Sequence, residues 1–281
     1  MTDSCRCSRV GSILLLLLLA LLPLSAAGQR NSWSLPGYRE TVRLGSLKFG
    51  SAFARDTYLS ASSYDGWALG LESDSWSGYK PSRLFRYGRL HSSLVFSSMK
   101  NSINGGSTLE LMSSVHYGFM LPAVESDADD LLIGPAVLFE LGVLYNRQNG
   151  NNPANAEGYL CAGLCVDNTC RFRLSGHELA LVTTLYVPFA GMGFAPDYDQ
   201  PYWYIYRYNE YGKALHFITP FNNPAFTFQL ALAVPMGKSR FTIGSSFDFM
   251  TNRLGGHSRR IDNNMISVGF VRRFQVKDWN R

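Results

Sequence analysis

Residues 108–119 (TLELMSSVHYGF) alternate along their whole length between an apolar and a polar set. The apolar set begins at Leu109, and the polar set includes Glu110 and His116. A period of two residues indicates a β-strand with one apolar and one polar face. Soluble strands usually end after about five or six residues, whereas a tilted strand that crosses a bilayer needs about nine to eleven. The length of the alternation therefore predicts a membrane-crossing strand.

Ten runs of the chain fit the same two-sided strand pattern. One of them is entered through Asn104-Gly105-Gly106, which is a strong hairpin-turn signal. No segment with helical periodicity competes with these runs, and no Pro- or Gly-rich linker divides them, so the sequence predicts one domain. The predicted strands are residues 41–53, 64–73, 87–99, 108–119, 132–145, 177–189, a strand within 202–217, 225–234, 240–251 and 265–276.

Alternation alone does not separate a membrane barrel from a soluble sandwich, because an antiparallel sandwich alternates in the same way. The polar face separates them, since it is mostly Gly, Ala, Ser and Thr with single charges such as Glu140 and Asp248. Small side chains fit a narrow, enclosed lumen. We therefore predict an all-β fold, an antiparallel transmembrane β-barrel of about ten strands, with about 8 to 12 also compatible. The alternative is a soluble periplasmic or secreted β-domain that binds a ligand.

The first residues have the order of a secretory signal peptide. Arg6 and Arg9 give a positive start, residues 13–24 are an uninterrupted apolar run, and Ser25-Ala26-Ala27 supplies small residues for cleavage. A run of about twelve apolar residues is too short to span a bilayer as a helix. The sequence therefore predicts a cleaved signal peptide over residues 1–27, an N-terminal segment over 28–40, and a single outer-membrane barrel domain over 41–281.

The charge of the chain argues against nucleic acid as a partner. Removal of residues 1–27 takes away Arg6, Arg9 and Asp3 and changes the formal net charge from +5 to +4. The remaining charges are scattered and form no Lys/Arg tract. No later stretch approaches about eighteen consecutive apolar residues, which excludes helical membrane spans. Aromatic residues make up 14% of the chain, as both a barrel and a secreted sandwich allow.

An even number of strands puts both termini of a barrel in the periplasm. With that orientation, residues 252–264 are predicted to be external and residues 235–239 to form a short periplasmic turn. Counting back along the strands makes residues 146–176 the longest external loop. It also makes residues 190–201 a rather long periplasmic turn, which fits the usual pattern of short periplasmic turns least well.

Three cysteines follow the predicted cleavage site: Cys161, Cys165 and Cys170. Their spacing matches no common zinc pattern, and an oxidising compartment favours disulfides. Asp167-Asn168 has the composition of a two-residue turn, which would set Cys165 opposite Cys170 with Cα atoms about 4.5 Å apart. We therefore predict a Cys165–Cys170 disulfide that leaves Cys161 unpaired. The alternative is three buried or reduced thiols.

Four ionisable side chains on the predicted inner faces are candidates for lining a lumen. A lone interior histidine is more often a hydrogen-bonded lining residue than a catalyst. We predict no cofactor, no metal site, no catalytic residue and no enzymatic activity. The candidate lining residues are Glu110, His116, Glu140 and Asp248.

The adjacency Ser175-Gly176-His177-Glu178 supports a second alternative, an outer-membrane hydrolase that uses His177 near the rim of the barrel. No accompanying nucleophile motif such as G-x-S-x-G is present. Because serine is abundant in this chain, the adjacency of Ser and His carries little weight. The hydrolase therefore remains the weaker interpretation.

Residues 198–211 (YDQPYWYIYRYNEY) concentrate Tyr and Trp. We interpret this cluster as an aromatic girdle at a membrane interface, where amphipathic rings settle. A carbohydrate- or ligand-stacking surface is the other interpretation.

The segment Asp56-Thr57-Tyr58-Leu59-Ser60, followed by Tyr64 and Gly66 and then by repeated long strands, resembles uncharacterised outer-membrane β-barrel families of Gram-negative bacteria. The resemblance implies a membrane barrel of unknown role and carries over no catalytic residues. With the export signal, it predicts a protein of the cell outer membrane whose partners are outer-membrane lipid and the outer-membrane assembly machinery. A barrel of this size has a largely filled lumen. We therefore predict a structural role or a narrow channel for small solutes.

Overall fold

The protein is described by a computed structural model over residues 38–78, 85–150, 152–198, 200–236 and 239–277. The predicted signal peptide and residues 28–37 lie outside this part. Several strands, among them β1, β2 and β4, have 19 residues. The elements are β1 (Tyr38–Asp56), β2 (Ser60–Gly78), β3 (Tyr87–Lys100), β4 (Ser107–Glu125), β5 (Asp129–Asn146), β6 (Ala154–Leu174), β7 (His177–Phe194), α1 (Tyr202–Tyr208), β8 (Leu215–Ile218), β9 (Ala225–Met236), β10 (Ser239–Leu254) and β11 (His257–Lys277).

Hydrogen-bonded pairing closes ten of these strands into a ring. Each of the ten is antiparallel to its neighbours, β1 pairs with β11 along its full length, and β7 pairs with β9. β8 is an additional strand of four residues that pairs with the last residues of β7. Closure removes the two free edges that an open sheet presents. The predicted all-β antiparallel barrel of about ten strands is confirmed.

The barrel has two ends, which we call the terminal end and the far end. β1 begins and β11 finishes at the terminal end, which also carries the β2–β3, β4–β5, β6–β7 and β9–β10 connections. The far end carries the β1–β2, β3–β4, β5–β6 and β10–β11 connections. It also carries the long connection from β7 through α1 and β8 to β9.

Two hairpins share the same compact turn. Ser175-Gly176 joins β6 to β7 with φ values of 51° and 81°, and Gly255-Gly256 joins β10 to β11 with 58° and 74°. Two successive residues with positive φ form the type I′ turn, whose twist matches that of the strands. Glycine adopts these angles without steric cost. The Ser-Gly-His-Glu adjacency is thus a hairpin turn, and no hydrogen bond among the described residues joins Ser175 to His177.

The two faces of the barrel differ as the alternation predicts. On β4, Leu111, Val115 and Phe119 are exposed on the outside, while Glu110 and His116 are buried in the interior. Large apolar side chains are exposed in the same way around the ring, and we call this surface the apolar belt. It includes Leu47 and Phe49 on β1, Leu69 and Leu71 on β2, Phe139 and Leu141 on β5, and Ile266 and Val268 on β11.

The strand predicted within residues 202–217 is present only as the short β8, which is not one of the ten strands of the ring. The segment contains α1, a turn and the short β8. α1 buries Ile205 and ends at Asn209, whose φ of 54° is the left-handed conformation common after a helix. In the part of the chain that the structure describes, a helix with the length and hydropathy of a membrane span is not found.

One strand of the ring, β6, was not predicted. It lies in the segment that was predicted to be the longest external loop. β6 pairs with β5 and β7 along nearly its whole length, and Asp167 and Asn168 lie within it rather than in a turn. The loop prediction for residues 146–176 is therefore wrong. Because β6 is an additional strand before β7, β7 runs in the direction opposite to the one predicted. The chain therefore leaves β7 at the far end. The prediction that residues 190–201 form a turn on the same side as the start of β1 and the end of β11 is consequently wrong as well.

Gly256→Ala tests the geometry of the β10–β11 hairpin. A side chain at φ +74° costs about 1–2 kcal/mol. We expect the free energy of unfolding, measured by urea titration in detergent, to fall by that amount. Gly150→Ala is the matched control, because nothing lies within 4 Å of its added Cβ and its φ is outside the left-handed region. Equal destabilisation by both substitutions would contradict the turn assignment.

Candidate functional site

Five charged side chains fill the lumen towards the terminal end, and we call them the terminal-side network. Arg89 on β3 contacts Asp74 on β2 (Nη2–Oδ1 2.8 Å) and Asp167 on β6 (Nε–Oδ2 3.0 Å). Lys48 on β1 pairs with Glu72 on β2. None of the five side chains is more than 5% exposed. Because a buried charge is tolerated only when it is paired, each contact constrains where its strands lie.

Neutral side chains complete the coordination of these charges. Thr184 on β7 donates a hydrogen bond to Asp167 (2.7 Å). Gln229 on β9 donates to Glu72 (2.6 Å). The terminal-side network therefore connects β1, β2, β3, β6, β7 and β9, and it reaches across the barrel as well as around it.

Glu72, Asp74 and His91 bring possible metal-ligating atoms within 4.8 Å of one another. His91 Nδ1 lies 2.9 Å from Asp74 Oδ1. Both carboxylates already have a cationic partner, since Lys48 pairs with Glu72 and Arg89 with Asp74. A divalent ion would have to displace these partners. The group therefore fits an ion-pair network better than a metal centre.

A second polar cluster, the far-side network, lies towards the far end. Arg259 on β11 contacts Glu157 on β6 (Nη1–Oε2 3.2 Å). Asn252 on β10 donates to Glu157 (2.8 Å), and Asn155 on β6 donates to Asp56 on β1 (2.7 Å). All five residues of this network are buried. It joins β6 to β1, β10 and β11 across the lumen.

A cavity lies between the two networks. Its empty volume is about 660 Å³, which includes space open to solvent. His116, Glu140 and Asp248 line it. The His116 ring has its centroid 4.8 Å from that of His91 and 4.4 Å from that of Tyr186. The cavity thus combines carboxylate groups with a row of three neighbouring rings that are tilted against one another.

Of the four residues predicted to line a lumen, three line the cavity. The fourth, Glu110, is buried in the half of the barrel nearer to the far end. His116, Glu140 and Asp248 are on the cavity wall. Glu110 is 1% exposed and accepts a hydrogen bond from Ser97 Oγ (2.7 Å). With the described residues, Glu140 and Asp248 form neither a hydrogen bond nor an ion pair, which leaves both carboxylates facing the cavity.

The interior carries more negative than positive charge. Its buried cations are Lys48, Arg89 and Arg259. Eight carboxylates accompany them, so within the two networks, the cavity and Glu110 the formal balance is −5 with neutral histidines. The carboxylates are Asp56, Glu72, Asp74, Glu110, Glu140, Glu157, Asp167 and Asp248.

Residues 195–198 and 200–214, which we call the far-end cover, extend over the far mouth of the barrel. Tyr202 Oη lies 2.7 Å from Asn155 Oδ1 in the far-side network. Tyr58 in the β1–β2 turn donates to the carbonyl of Gln200 (3.1 Å). Burial raises the pKa of the Tyr202 hydroxyl above its ordinary value, so the group remains protonated and can donate. The cover is thereby fastened to two walls of the barrel.

The outer surface of the far-end cover is the aromatic cluster noted in the sequence. Tyr202 and Ile205 are the members of α1 that turn inward, and Ile205 is 2% exposed. The rings that remain on the outside are those of Tyr198, Trp203, Tyr204, Tyr206, Tyr208 and Tyr211.

Sequence reasoning missed the three buried cations. A signal for them is present, because Lys48, Arg89 and Arg259 each occupy the inward phase of a long alternating strand. Arg259 shows the point most clearly, since its neighbour Arg260 is exposed. The sequence alone does not give the carboxylate that each cation meets, because that depends on the register of several strands.

The predicted Cys165–Cys170 disulfide is wrong. Cys161, Cys165 and Cys170 are all buried, and no disulfide joins any two of them. Cys165 and Cys170 lie five residues apart on the extended β6, which separates their Cα atoms by about 16 Å at about 3.3 Å per residue. A disulfide needs about 4.4–6.8 Å. Cys165 instead lies against Arg89 (Sγ–Nη1 3.7 Å).

Alkylation of the denatured, unreduced protein is expected to modify all three of these cysteines, as alkylation after reduction does, because no disulfide holds them. Intact-mass spectrometry counts the adducts. In the folded protein, burial should protect all three thiols. If Cys165 and Cys170 became reactive only after reduction, the free-thiol assignment would be contradicted.

Arg89→Met should destabilise the folded barrel by about 3–5 kcal/mol, because it leaves Asp74 and Asp167 buried without their cation. Arg86→Met is the matched control. Arg86 pairs with Glu125 at the terminal rim, where the two side chains are 45% and 28% exposed, and such a pair contributes about 0–1 kcal/mol. Urea unfolding in detergent measures both. Similar losses for the two variants would contradict the role assigned to the terminal-side network.

Comparison with solved structures finds the outer membrane protease OmpT from Escherichia coli, with 8% identity and a TM-score of 0.49, covering 87% of this chain and 99% of that chain. OccK11 (OpdR) of Pseudomonas aeruginosa has 12% identity and a TM-score of 0.17, covering 90% of this chain and 100% of that chain. Such distant likenesses carry no information about the chemistry of this chain. No curated protein matches it by sequence. The predicted resemblance to an uncharacterised family is confirmed, because residues 13–279 match the family described as "Protein of unknown function (DUF3316)", and the chain belongs to that family.

Proposed function

We propose that this chain is an integral outer-membrane β-barrel that provides a narrow passage for small cations. The apolar belt supports the membrane part of the proposal, because Leu47 and Phe49 are 65% and 61% exposed. Soluble monomers rarely expose a contiguous apolar surface larger than about a few hundred Å². Lipid chains would cover the belt. The predicted signal peptide would direct export, and the outer-membrane assembly machinery would insert the barrel.

The surplus of carboxylates in the lumen is the observation that carries the choice of cations. Fixed charges within a low-dielectric wall attract ions of opposite sign and exclude ions of the same sign. Glu140 and Asp248 are the groups best placed to meet a passing cation. Both line the cavity, and neither has an ion-pair partner among the described residues.

The contacts on either side of the cavity support a narrow passage rather than a general pore. The Arg89–Asp167 contact crosses the lumen on the terminal side, and the Arg259–Glu157 contact crosses it on the far side. The far-end cover then lies over the mouth. A barrel of about ten strands has little lumen left once its inward side chains are in place. Cations would pass only as these contacts rearrange.

The lengths of the connections support an orientation with the terminal end in the periplasm. β4–β5 and β6–β7 are joined at that end by residues 126–128 and 175–176. The connection that contains α1 and β8 is at the far end and is much longer. Short periplasmic turns and longer outer loops are usual for such barrels. The aromatic rings of the far-end cover would then face the cell exterior.

Planar-bilayer recording of the refolded protein under a KCl gradient tests the passage. We expect small currents with a reversal potential close to that of K⁺, because the lumen carries excess negative charge. The double variant Glu140→Gln, Asp248→Asn should move the reversal potential towards zero. Glu178→Gln is the matched control, since Glu178 pairs with Arg240 at the terminal rim and its side chain is 51% exposed. It should leave the potential unchanged.

Membrane insertion of the same protein is tested first, by membrane fractionation and by gel electrophoresis. A folded barrel migrates faster before boiling than after it. Partition into the soluble fraction without a mobility shift would contradict the membrane location. Currents that favour Cl⁻, or an inserted protein that passes no current, would contradict the cation passage.

A further inference from the structure

A second cavity lies in the lumen, on the terminal side of Lys48, and we call it the terminal cavity. Its empty volume is about 390 Å³, which includes space open to solvent. Lys48 also lines the cavity between the two networks, which we call the central cavity, and it is the one described residue that lines both. The side chain of Lys48 therefore lies at the boundary of the two cavities.

The strands around the lumen place this boundary at one level of the barrel. On β7, Tyr186 lines the central cavity, and Thr184, the next inward residue towards the terminal end, lines the terminal cavity. On β10, Asp248 lines the central cavity, and the next inward residue, Ser246, lines the terminal cavity. The two cavities therefore follow one another along the barrel axis.

Three side chains cross the lumen at this level, and we call them the crossbar: Lys48 on β1, Glu72 on β2 and Gln229 on β9. Lys48 pairs with Glu72, and Gln229 Nε2 donates a hydrogen bond to Glu72 Oε2 (2.6 Å). In the ring, β1, β11 and β10 separate β2 from β9, so the contact between Glu72 and Gln229 crosses the lumen. Gln229 lines the terminal cavity, and Thr227, the next inward residue towards the far end, lines the central cavity. The crossbar thus lies where one cavity meets the other.

The contact between Arg89 and Asp167 lies beside the terminal cavity rather than between the two cavities. Arg89 on β3 and Asp167 on β6 line neither cavity. Every residue that lines the terminal cavity is on β1, β2, β7, β9, β10 or β11. Of the charged contacts on the terminal side, the pair of Lys48 and Glu72 is therefore the one at the boundary of the cavities.

The terminal cavity offers oxygen atoms to a cation. Asp74 Oδ2 and Ser246 Oγ have no hydrogen-bond partner among the described residues, and both residues line this cavity. Asp74 is 0% exposed and Ser246 is 2% exposed, and a buried polar atom without a partner calls for an explanation. Hard cations bind oxygen ligands, carboxylates above all. A cation that passes through the terminal cavity would supply the missing partners.

Lys48 has carboxylates on both sides of the boundary. Glu72 lines the terminal cavity. Glu140 and Asp248 line the central cavity, and neither has an ion-pair partner among the described residues. A lysine side chain is a flexible four-carbon stem whose ammonium group carries three rotatable donors. A turn of this side chain into the central cavity would move the ammonium group from one carboxylate environment to another.

We propose that the crossbar is the gate of the passage. The gate opens when the Lys48 side chain turns into the central cavity and a small cation takes the place of its ammonium group on Glu72. This rests on the proposed function, since it names the residues that control the same passage. Because Glu72 keeps a cationic partner throughout, opening does not leave its buried carboxylate unpaired.

Single-channel recording in KCl tests the gate with the double variant Lys48→Ser, Glu72→Gln. The variant shortens one side of the crossbar and removes both of its charges, so the formal charge of the lumen is unchanged. Its conductance should exceed that of the parent about tenfold, because opening no longer breaks an ion pair. The matched control is Arg240→Ser, Glu178→Gln, which removes an ion pair at the terminal rim whose side chains are 25% and 51% exposed. The control should conduct like the parent.

Cys161 gives a second readout that does not depend on current. It is buried and lines the central cavity, whereas Cys170 lines neither cavity. The probe is 2-aminoethyl methanethiosulfonate, a small cationic thiol reagent, added to the folded protein in detergent. In the double variant, modification of Cys161 should be about tenfold faster than in the parent, because the crossbar no longer separates the cavities. Modification of Cys170 should be unchanged, and mass spectrometry of the peptides measures both rates.

Gln229→Ser is a second variant of the crossbar, and it leaves the pair of Lys48 and Glu72 in place. It should change both readouts in the same direction, because it removes the part of the crossbar that reaches β9. Each variant is checked for the folded barrel by heat-dependent gel migration. Gln229→Ser keeps the test available if the double variant does not fold.

The outcomes separate the gate from the proposed function. If the parent passes current and the folded variants match it in conductance and in Cys161 modification, the gate is overturned and the cation passage stands. An equal increase in the rim control would overturn the gate as well, because it would show a general loosening of the barrel. If neither the parent nor the variants pass current, the proposed function is contradicted. Cys161 modification then decides on the crossbar alone, since faster modification in the variants supports closure at the crossbar and equal modification overturns it.

Discussion

The contact of Arg89 with Asp74 and Asp167 is the interaction on which the rest of the lumen depends. It joins β2, β3 and β6 across the barrel and is almost completely buried. The apolar belt does not select one register, because a shift of two residues keeps every apolar side chain outside. The same shift would take the guanidinium away from its carboxylates. The ion pairs therefore specify a register that the hydrophobic pattern leaves open.

The fold was predictable wherever the outer face is apolar along the whole strand. β4 shows this, because Leu111 and Phe119 belong to an outer face that no charge interrupts, although Glu110 and His116 lie on its inner face. β6 was not predicted as a strand because its inward positions carry the partners of both networks, including Glu157 and Asp167. These polar residues give the segment the composition of a loop. α1 was missed because its seven residues are too short to show a helical period. Tertiary contacts, such as the burial of Ile205, hold it in place.

The site was predictable in part, because the alternation of the strands also shows which charged residues face inward. Glu140 and Asp248 stand out in the sequence as single charges among small residues, and alternation is enough to place them inside. The disulfide prediction failed because it required Asp167-Asn168 to be a turn. Both residues lie within β6 instead, in the segment that was predicted to be a loop. The end of the β7–β9 pairing at Tyr186 was beyond reach, since it depends on which strands meet next to Pro188 and on the β-bulge at Phe189.

The attachment of the far-end cover has a consequence for how the molecule assembles. Tyr198 N donates to the carbonyl of Gly255 in the β10–β11 turn, Tyr58 reaches Gln200 from the β1–β2 turn, and Tyr202 reaches Asn155 on β6. These three anchors come together only when the first and last strands have met. Docking of the cover is therefore a late folding event that follows ring closure, and the burial of Ile205 in α1 marks the moment at which the barrel is complete.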